Sequence, residues 1–259
     1  MDIAIILFMD ATQFLLGDIK GKRILITGGT TGIGRATANL LISLGGRVMI
    51  FGRDEKDFKK AFDGIKAKYP DSELFGTTAD VSIKEDVSKI FQMVDTKLGG
   101  LDILINNAAQ AADGVTKGSP EEWKNLLEVN ILAYLIFTRH ALDRMSSNNY
   151  GHIVNIGSMS AETREESGTI YVATKSAIRG FTAALRKEIN PLGLKVSLIE
   201  PGAVKSDLQR GTEKELQEKI ENMEMLEADD IAMSILFCLA QPKRSNIVSI
   251  QIRPLLQII

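Results

Sequence analysis

Residues 171–175 read YVATK, placing Tyr171 and Lys175 four positions apart with small residues between them. On a helix that spacing puts both side chains on one face. A phenol ionises near pKa ~10, and a close cation favours its anion. The pair therefore suits a proton donor or acceptor working near neutral pH. Tyr and Lys also meet at this spacing by chance, so the rest of the chain must be asked whether it builds a site around them. A second stretch, TGGTTGIG at 27–34, leaves a β-rich run and opens a helical one. Its Gly28, Gly32 and Gly34 follow the pattern G-x-x-x-G-x-G rather than G-x-G-x-x-G, but the physics is shared. Glycines let the backbone approach a pyrophosphate, and the helix start offers N–H donors and a positive dipole end. A plain tight turn would account for one glycine, not for three beside a threonine-rich loop. A third stretch, FGRDEKD at 51–57, has Gly52 and then Arg53 where an acid would bind a ribose 2′-hydroxyl. A guanidinium there pairs with a 2′-phosphate, which favours NADP(H) and leaves NAD(H) open, since Asp54 is adjacent.

The elements that must hold these stretches alternate. Short apolar runs at 23–27, 47–51, 73–80, 102–106, 151–157, 195–200 and 246–252 read as strands. Helical patterns fill 32–44, 54–68, 83–98, 119–145, 169–189 and 228–240, while the polar stretch 205–224 reads as a helix or a lid. Ser119 is placed to cap the long fourth helix, with Pro120 in its first turn. Alternation of this kind predicts an α/β fold, a doubly wound parallel sheet of about seven strands with helices on both faces. Ligands then bind beyond the carboxyl ends of the strands.

Composition narrows the function classes. The chain has 259 residues, of which 44% are hydrophobic, and a net charge of -2. That balance gives no field for nucleic acid or an anionic membrane. The single cysteine, Cys238, excludes disulfide scaffolds and cysteine-rich metal sites, and fits a cytoplasmic setting. His140 and His152 stand far apart, so no metal cluster is expected. The apolar run 3–9 is too short to span a bilayer and lacks the marks of a secretory signal. Residues 1–21 read as an N-terminal extension, with a start at Met9 as the alternative, and 22–259 as one domain.

Taken in order, TGGTTGIG, Ala79-Asp80, NNAA at 106–109, Asn130, Ser158 and YVATK resemble the short-chain dehydrogenase/reductase family, from about Lys22 to the C-terminus. The resemblance implies a Rossmann-type fold and an NAD(P)-dependent oxidoreductase that interconverts an alcohol and a carbonyl. It implies a catalytic set of Asn130, Ser158, Tyr171 and Lys175. Ser158 and Tyr171 would bind the substrate oxygen, and Tyr171 would give it a proton as the reduced nicotinamide delivers hydride. Lys175 would bind the nicotinamide ribose and lower the pKa of Tyr171, and Asn130 would bend its helix and hold a water in the relay. The cofactor would lie against Gly28, Thr30, Thr31, Gly32, Ile33 and Gly34, against Arg53, Asp80 and Val81, and against Asn107 and Ala108. Pro201, Gly202, Val204 and Ser206 would form the wall by the nicotinamide, with Tyr171 and Lys175 opposite. The family often has glycine where this chain has Ala109.

The substrate is a small carbonyl or alcohol. The ending IQIRPLLQII is similar to the branch that oxidises 3-hydroxy acids or reduces small carbonyls. A 3-oxoacyl thioester reductase is the alternative within the class. A nucleotide sensor or scaffold is the alternative outside it, disfavoured by the intact catalytic set. Arg164, in the charged loop 161–169, is a candidate contact for an acidic substrate. A homotetramer or homodimer through the long fourth and fifth helices is implied by the resemblance.

Overall fold

The computed structural model describes residues 19–145, 150–209 and 211–257. Seven parallel strands form one sheet in the order β3-β2-β1-β4-β5-β6-β7. They are β1 (Arg23–Thr27), β2 (Arg47–Gly52), β3 (Leu74–Thr78), β4 (Ile103–Asn106), β5 (His152–Ile156), β6 (Lys195–Pro201) and β7 (Ser249–Ile252). The doubly wound Rossmann-type sheet expected from the alternation is present. Side chains alternate across it. Leu25 of β1 faces one core with Phe91, Phe137 and Leu104, while Ile24 and Ile26 face the other with Leu41, Ile65 and Ile235. Strands buried on both faces need near-continuous apolar sequence, which is why RILIT and DILIN carry no polar alternation.

Helices follow the strands. They are α1 (Gly32–Ser43), α2 (Glu55–Lys68), α3 (Lys84–Met93), α4 (Pro120–Leu127), α5 (Ala133–Met145), the short α6 (Ser160–Thr163), α7 (Thr169–Ile189), α8 (Glu213–Glu221) and α9 (Ala228–Leu239). Ser119 caps α4 with Glu122 in a reciprocal capping box, and Pro120 occupies its first turn, as the sequence predicts. Two stretches that read as continuous helices are interrupted. A π turn, Val94–Leu98, ends α3, and another, Glu128–Leu132, separates α4 from α5. Such bulges insert one residue and re-aim side chains. The second holds Asn130.

The chain runs outward from β1 to β3, then returns to lay β4 on the other side of β1. The loops after β1 and β4 diverge at this switch point and leave a crevice. Most of the N-terminal extension, 1–18, lies outside the described residues. Ile19 is buried in the second core, and the Gly21 N–H donates to the Gly45 carbonyl at 2.8 Å. Among the described residues no helix is long and apolar enough to cross a membrane, and no metal-binding cluster of His, Cys, Asp and Glu occurs.

Candidate active site

The crevice opens into a cleft of about 1140 Å³. Its floor is the glycine loop. Gly28 and Gly32 take left-handed backbone angles, φ +62° and +47°, which other residues adopt at a cost. A Cβ on Gly28 would lie 3.0 Å from the Ala108 Cα, so the loop is drawn tight against the strand-β4 loop. Gly34 has a different reason. It does not line the cleft; a Cβ there would run into the Gly28 carbonyl and lie 2.7 Å from the Asn107 Nδ2. Its absence of side chain lets α1 pack against the loop.

Asn107 stitches the switch point. Its Nδ2 donates to the carbonyls of Thr27 and Gly28, each at 3.0 Å, while the Asn107 and Ala108 N–H groups donate to the Thr27 Oγ1. The helix α1 that follows has no side-chain cap at Thr31 and no acid in its first turn. Its first N–H groups are thus left to an external acceptor beside a cradle that a Cβ would fill. That fits the diphosphate of a dinucleotide.

Arg53, just past β2, lines the cleft and stands 3.8 Å from an oxygen of Asp80. Asp54 lines the cleft beside it. One of its carboxylate oxygens caps α2 by accepting from the Asp57 N–H at 2.8 Å. Val81 lines the cleft but Asp80 does not, because its other oxygen accepts from the Ser82 N–H and Oγ. Thr30, Thr31, Ile33, Asn107, Ala108, Pro201, Gly202, Val204 and Ser206 line the same cleft.

Ser158, Tyr171 and Lys175 meet on its far wall. Tyr171 and Lys175 lie one turn apart on α7, with Ser158 just beyond β5. The Ser158 hydroxyl donates to the Ser160 Oγ at 3.1 Å; its presence by the Tyr171 phenol lowers the phenol's pKa, but burial raises it more and Glu165 raises it further. The phenol therefore sits above its ordinary value. The lowering expected from Lys175 is absent from these causes. That ammonium donates to the Ile156 carbonyl at 2.9 Å and stands 5.6 Å from the Tyr171 ring centre. Burial brings Lys175 down to about 8.

Asn130 is fully buried behind this wall and does not line the cleft. Its Oδ1 accepts from the Gln110 N–H, and its Nδ2 donates to the Gln110 carbonyl, both at 2.8 Å. The same Nδ2 donates to the Thr174 Oγ1 at 3.3 Å. One amide thus ties the strand-β4 loop to α7 beside Lys175. It is carried on the π turn, the part of the helix where the resemblance implies a bend.

Several neighbours, Tyr134, Asn155, Thr182 and Gln257, had no individual sign in the sequence. Tyr134 donates to the Ile156 carbonyl at 3.1 Å, sharing that acceptor with Lys175. It is one helical turn from Asn130, which is the clue its position offered. Asn106, Asn155 and Thr182 form a buried chain of side-chain hydrogen bonds under the site, at 2.9 Å for each link. Gln257 lines the cleft and its Oε1 accepts from the Ala203 N–H at 3.0 Å, contacts that only the fold brings about. Arg164 is not among the lining residues of the cleft; it takes a left-handed angle at the end of α6.

Comparison with known proteins agrees with this geometry. A family model described as short chain dehydrogenase matches residues 22–217. An uncharacterized oxidoreductase of Staphylococcus aureus (strain MRSA252) is 34% identical over 237 residues, covering 91% of this chain and 98% of its own. The crystal structure of a metagenomic short-chain oxidoreductase in complex with NADP is 28% identical, with a TM-score of 0.77 and coverage of 92% and 99%. The closed form of a serine dehydrogenase complexed with NADP+ is 26% identical, with a TM-score of 0.82 and coverage of 91% and 96%.

Proposed function

The chain belongs to the short-chain dehydrogenase family and is an NAD(P)-dependent oxidoreductase; from that premise we propose that it is an NADP(H)-linked carbonyl reductase or 3-hydroxy-acid-type dehydrogenase of small substrates. The observation that carries the reading is the meeting of Ser158, Tyr171 and Lys175 on the wall of the cleft whose floor is the glycine loop. The bound nicotinamide supplies hydride to the substrate carbon, or takes it up in the reverse direction.

The residues supply position and protons. The Ser158 and Tyr171 hydroxyls hold the substrate oxygen and stabilise the negative charge that gathers on it. Tyr171 donates its proton to that oxygen during reduction and regains one afterwards. A phenol held above its ordinary pKa by burial is protonated at neutral pH, as a donor must be. Lys175 has a pKa of about 8, close to working pH, so it can give up and recover a proton within the cycle. Asn130 fixes the loop and helix on either side of that group.

Arg53 at the end of β2 supports NADP(H) over NAD(H). NADP complexes of two similar proteins are in line with that preference. The 3-hydroxy-acid side of the reading draws on the Arg253-Pro254 ending, which packs against Gly202 in the cleft wall. It also draws on likeness to a serine dehydrogenase, whose substrate carries its hydroxyl on the third carbon.

The test is NADPH oxidation and NADP+ reduction across small ketones, 3-oxo acids, 3-hydroxy acids and 3-oxoacyl thioesters, with Tyr171→Phe in parallel. Turnover of one small class, falling by about 10²- to 10⁴-fold in the variant, is expected. Cofactor affinity should hold. Full activity in Tyr171→Phe would remove the tyrosine from the reaction. Thioesters as the sole substrates would move the assignment to a 3-oxoacyl thioester reductase.

A further inference from the structure

We propose that Gln110 sets how strongly this enzyme prefers NADP(H) over NAD(H), by competing with the cofactor's 2′-phosphate for the Arg53 guanidinium. The proposal rests on the reading of Arg53 as the phosphate ligand. Arg53 follows β2 and Gln110 follows β4, and β1 runs between those strands. Both residues line the cofactor cleft. With its amide oxygen turned toward Arg53, Gln110 accepts from both terminal guanidinium nitrogens, at 2.5 and 3.1 Å. In the opposite orientation the same oxygen accepts instead from the Asn125 Nδ2 at 2.8 Å.

The two partners differ in freedom. Gln110 is held at its own N–H and carbonyl by the buried Asn130 amide. Arg53 is exposed, with Asp80 only as a loose neighbour at 3.8 Å. Movement therefore falls to the guanidinium. A 2′-phosphate must draw it off a neutral acceptor whose backbone is anchored, and the loss of that hydrogen bond subtracts from the phosphate's gain. A cofactor with a plain 2′-hydroxyl has little to offer a guanidinium and leaves the contact in place. Gln110 thus lowers NADP(H) affinity selectively, which keeps NAD(H) within reach of the same site.

The experiment is calorimetric titration of the purified full-length chain with NADP+ and NAD+, using Gln110→Leu, Gln110→Glu, Arg53→Ala and Gln110→Leu/Arg53→Ala. Backbone contacts to Asn130 survive each change at 110, and melting temperatures check that the variants fold. Gln110→Leu should tighten NADP+ by about two- to tenfold and leave NAD+ unchanged. Gln110→Glu, which holds the guanidinium harder, should weaken NADP+ and spare NAD+. In the Arg53→Ala background, Gln110→Leu should have no further effect. Equal tightening of both cofactors by Gln110→Leu, or no change in either, would overturn the inference. If Arg53→Ala itself weakens NADP+ and NAD+ equally, the phosphate reading of Arg53 falls and the inference with it. If Arg53→Ala discriminates but Gln110→Leu does not, the inference alone is refuted.

Discussion

The two sides of the cleft are made of different materials. On the glycine-loop side, the close contacts come from backbone. Gly28 and Gly32 hold left-handed angles, Gly34 lets α1 approach the loop, and the start of α1 is left without a side-chain cap. On the catalytic side, they come from buried polar side chains. Asn130, Lys175, Asn106 and Asn155 are each 1% exposed or less, and each has its hydrogen bonds. A backbone cradle tolerates no added atom. A polar wall tolerates added or lost atoms but not an unpaired group. The two sides should therefore fail in different ways.

The largest effect is expected on the backbone side. In Gly34→Ala the new methyl meets the Gly28 carbonyl, which cannot move without disturbing β1 and the Asn107 hydrogen bonds. Overpacking of this kind costs about 1–3 kcal/mol, and more where the neighbour is backbone. Urea denaturation should show a loss in that range, and both NADP+ and NAD+ should bind weakly. Unchanged stability would mean that the loop yields where the structure shows it stitched.

On the polar side, removing a group can stabilise. Lys175 is buried, and burial alone lowers its pKa from 10.5 to about 8. Its acceptor, the Ile156 carbonyl, would keep the Tyr134 hydroxyl if the ammonium were gone. Lys175→Met should therefore abolish turnover yet raise stability at pH 7 by about 1–3 kcal/mol. The pH dependence has a definite sign. A lysine with a depressed folded pKa destabilises the fold fully below about pH 8 and is relieved as pH rises to 10.5, because the unfolded chain binds the proton longer. Wild-type stability should gain across that window, and the variant should lose this part of the slope. A variant less stable at every pH would mean that Lys175 holds the wall together.

The same division explains what could be read from the sequence. Backbone cradles require glycine, and glycine spacing along one loop is a local signal, so TGGTTGIG was legible as a tight loop at the floor of the cleft. Gly34 was legible as needed, but its packing role was not, since the carbonyl it avoids is known only once the loop folds. Tyr171, Lys175 and Ser158 were found through a motif whose members sit on α7 and at the end of β5. Gln110, Thr174 and Gln257 were missed because their roles depend on partners 20 to 54 residues away. The pKa of Tyr171 was misjudged for the same reason. Spacing puts a cation near a phenol, but only burial decides which term prevails. The seven parallel strands and the cover on both faces of the sheet followed from apolar runs; the order of the strands did not. The π turns did not, since a one-residue insertion leaves helical periodicity almost intact.

Gly180 gives the smallest effect and the sharpest contrast with Gly34. It lies on α7 one turn beyond Lys175, exposed, with no atom within 4 Å of the position a Cβ would take. No close approach and no left-handed angle requires glycine there. A glycine inside a helix costs about 0.5–1 kcal/mol relative to alanine. Gly180→Ala should therefore stabilise the protein by about that amount and leave turnover unchanged. The assay is urea denaturation at several protein concentrations. A destabilisation that grows with concentration would mean that a second copy covers this face of α7, where a methyl then intrudes. That outcome would extend the rule drawn from the cofactor loop to a contact between chains. Stabilisation independent of concentration would confine the need for glycine to the cradle.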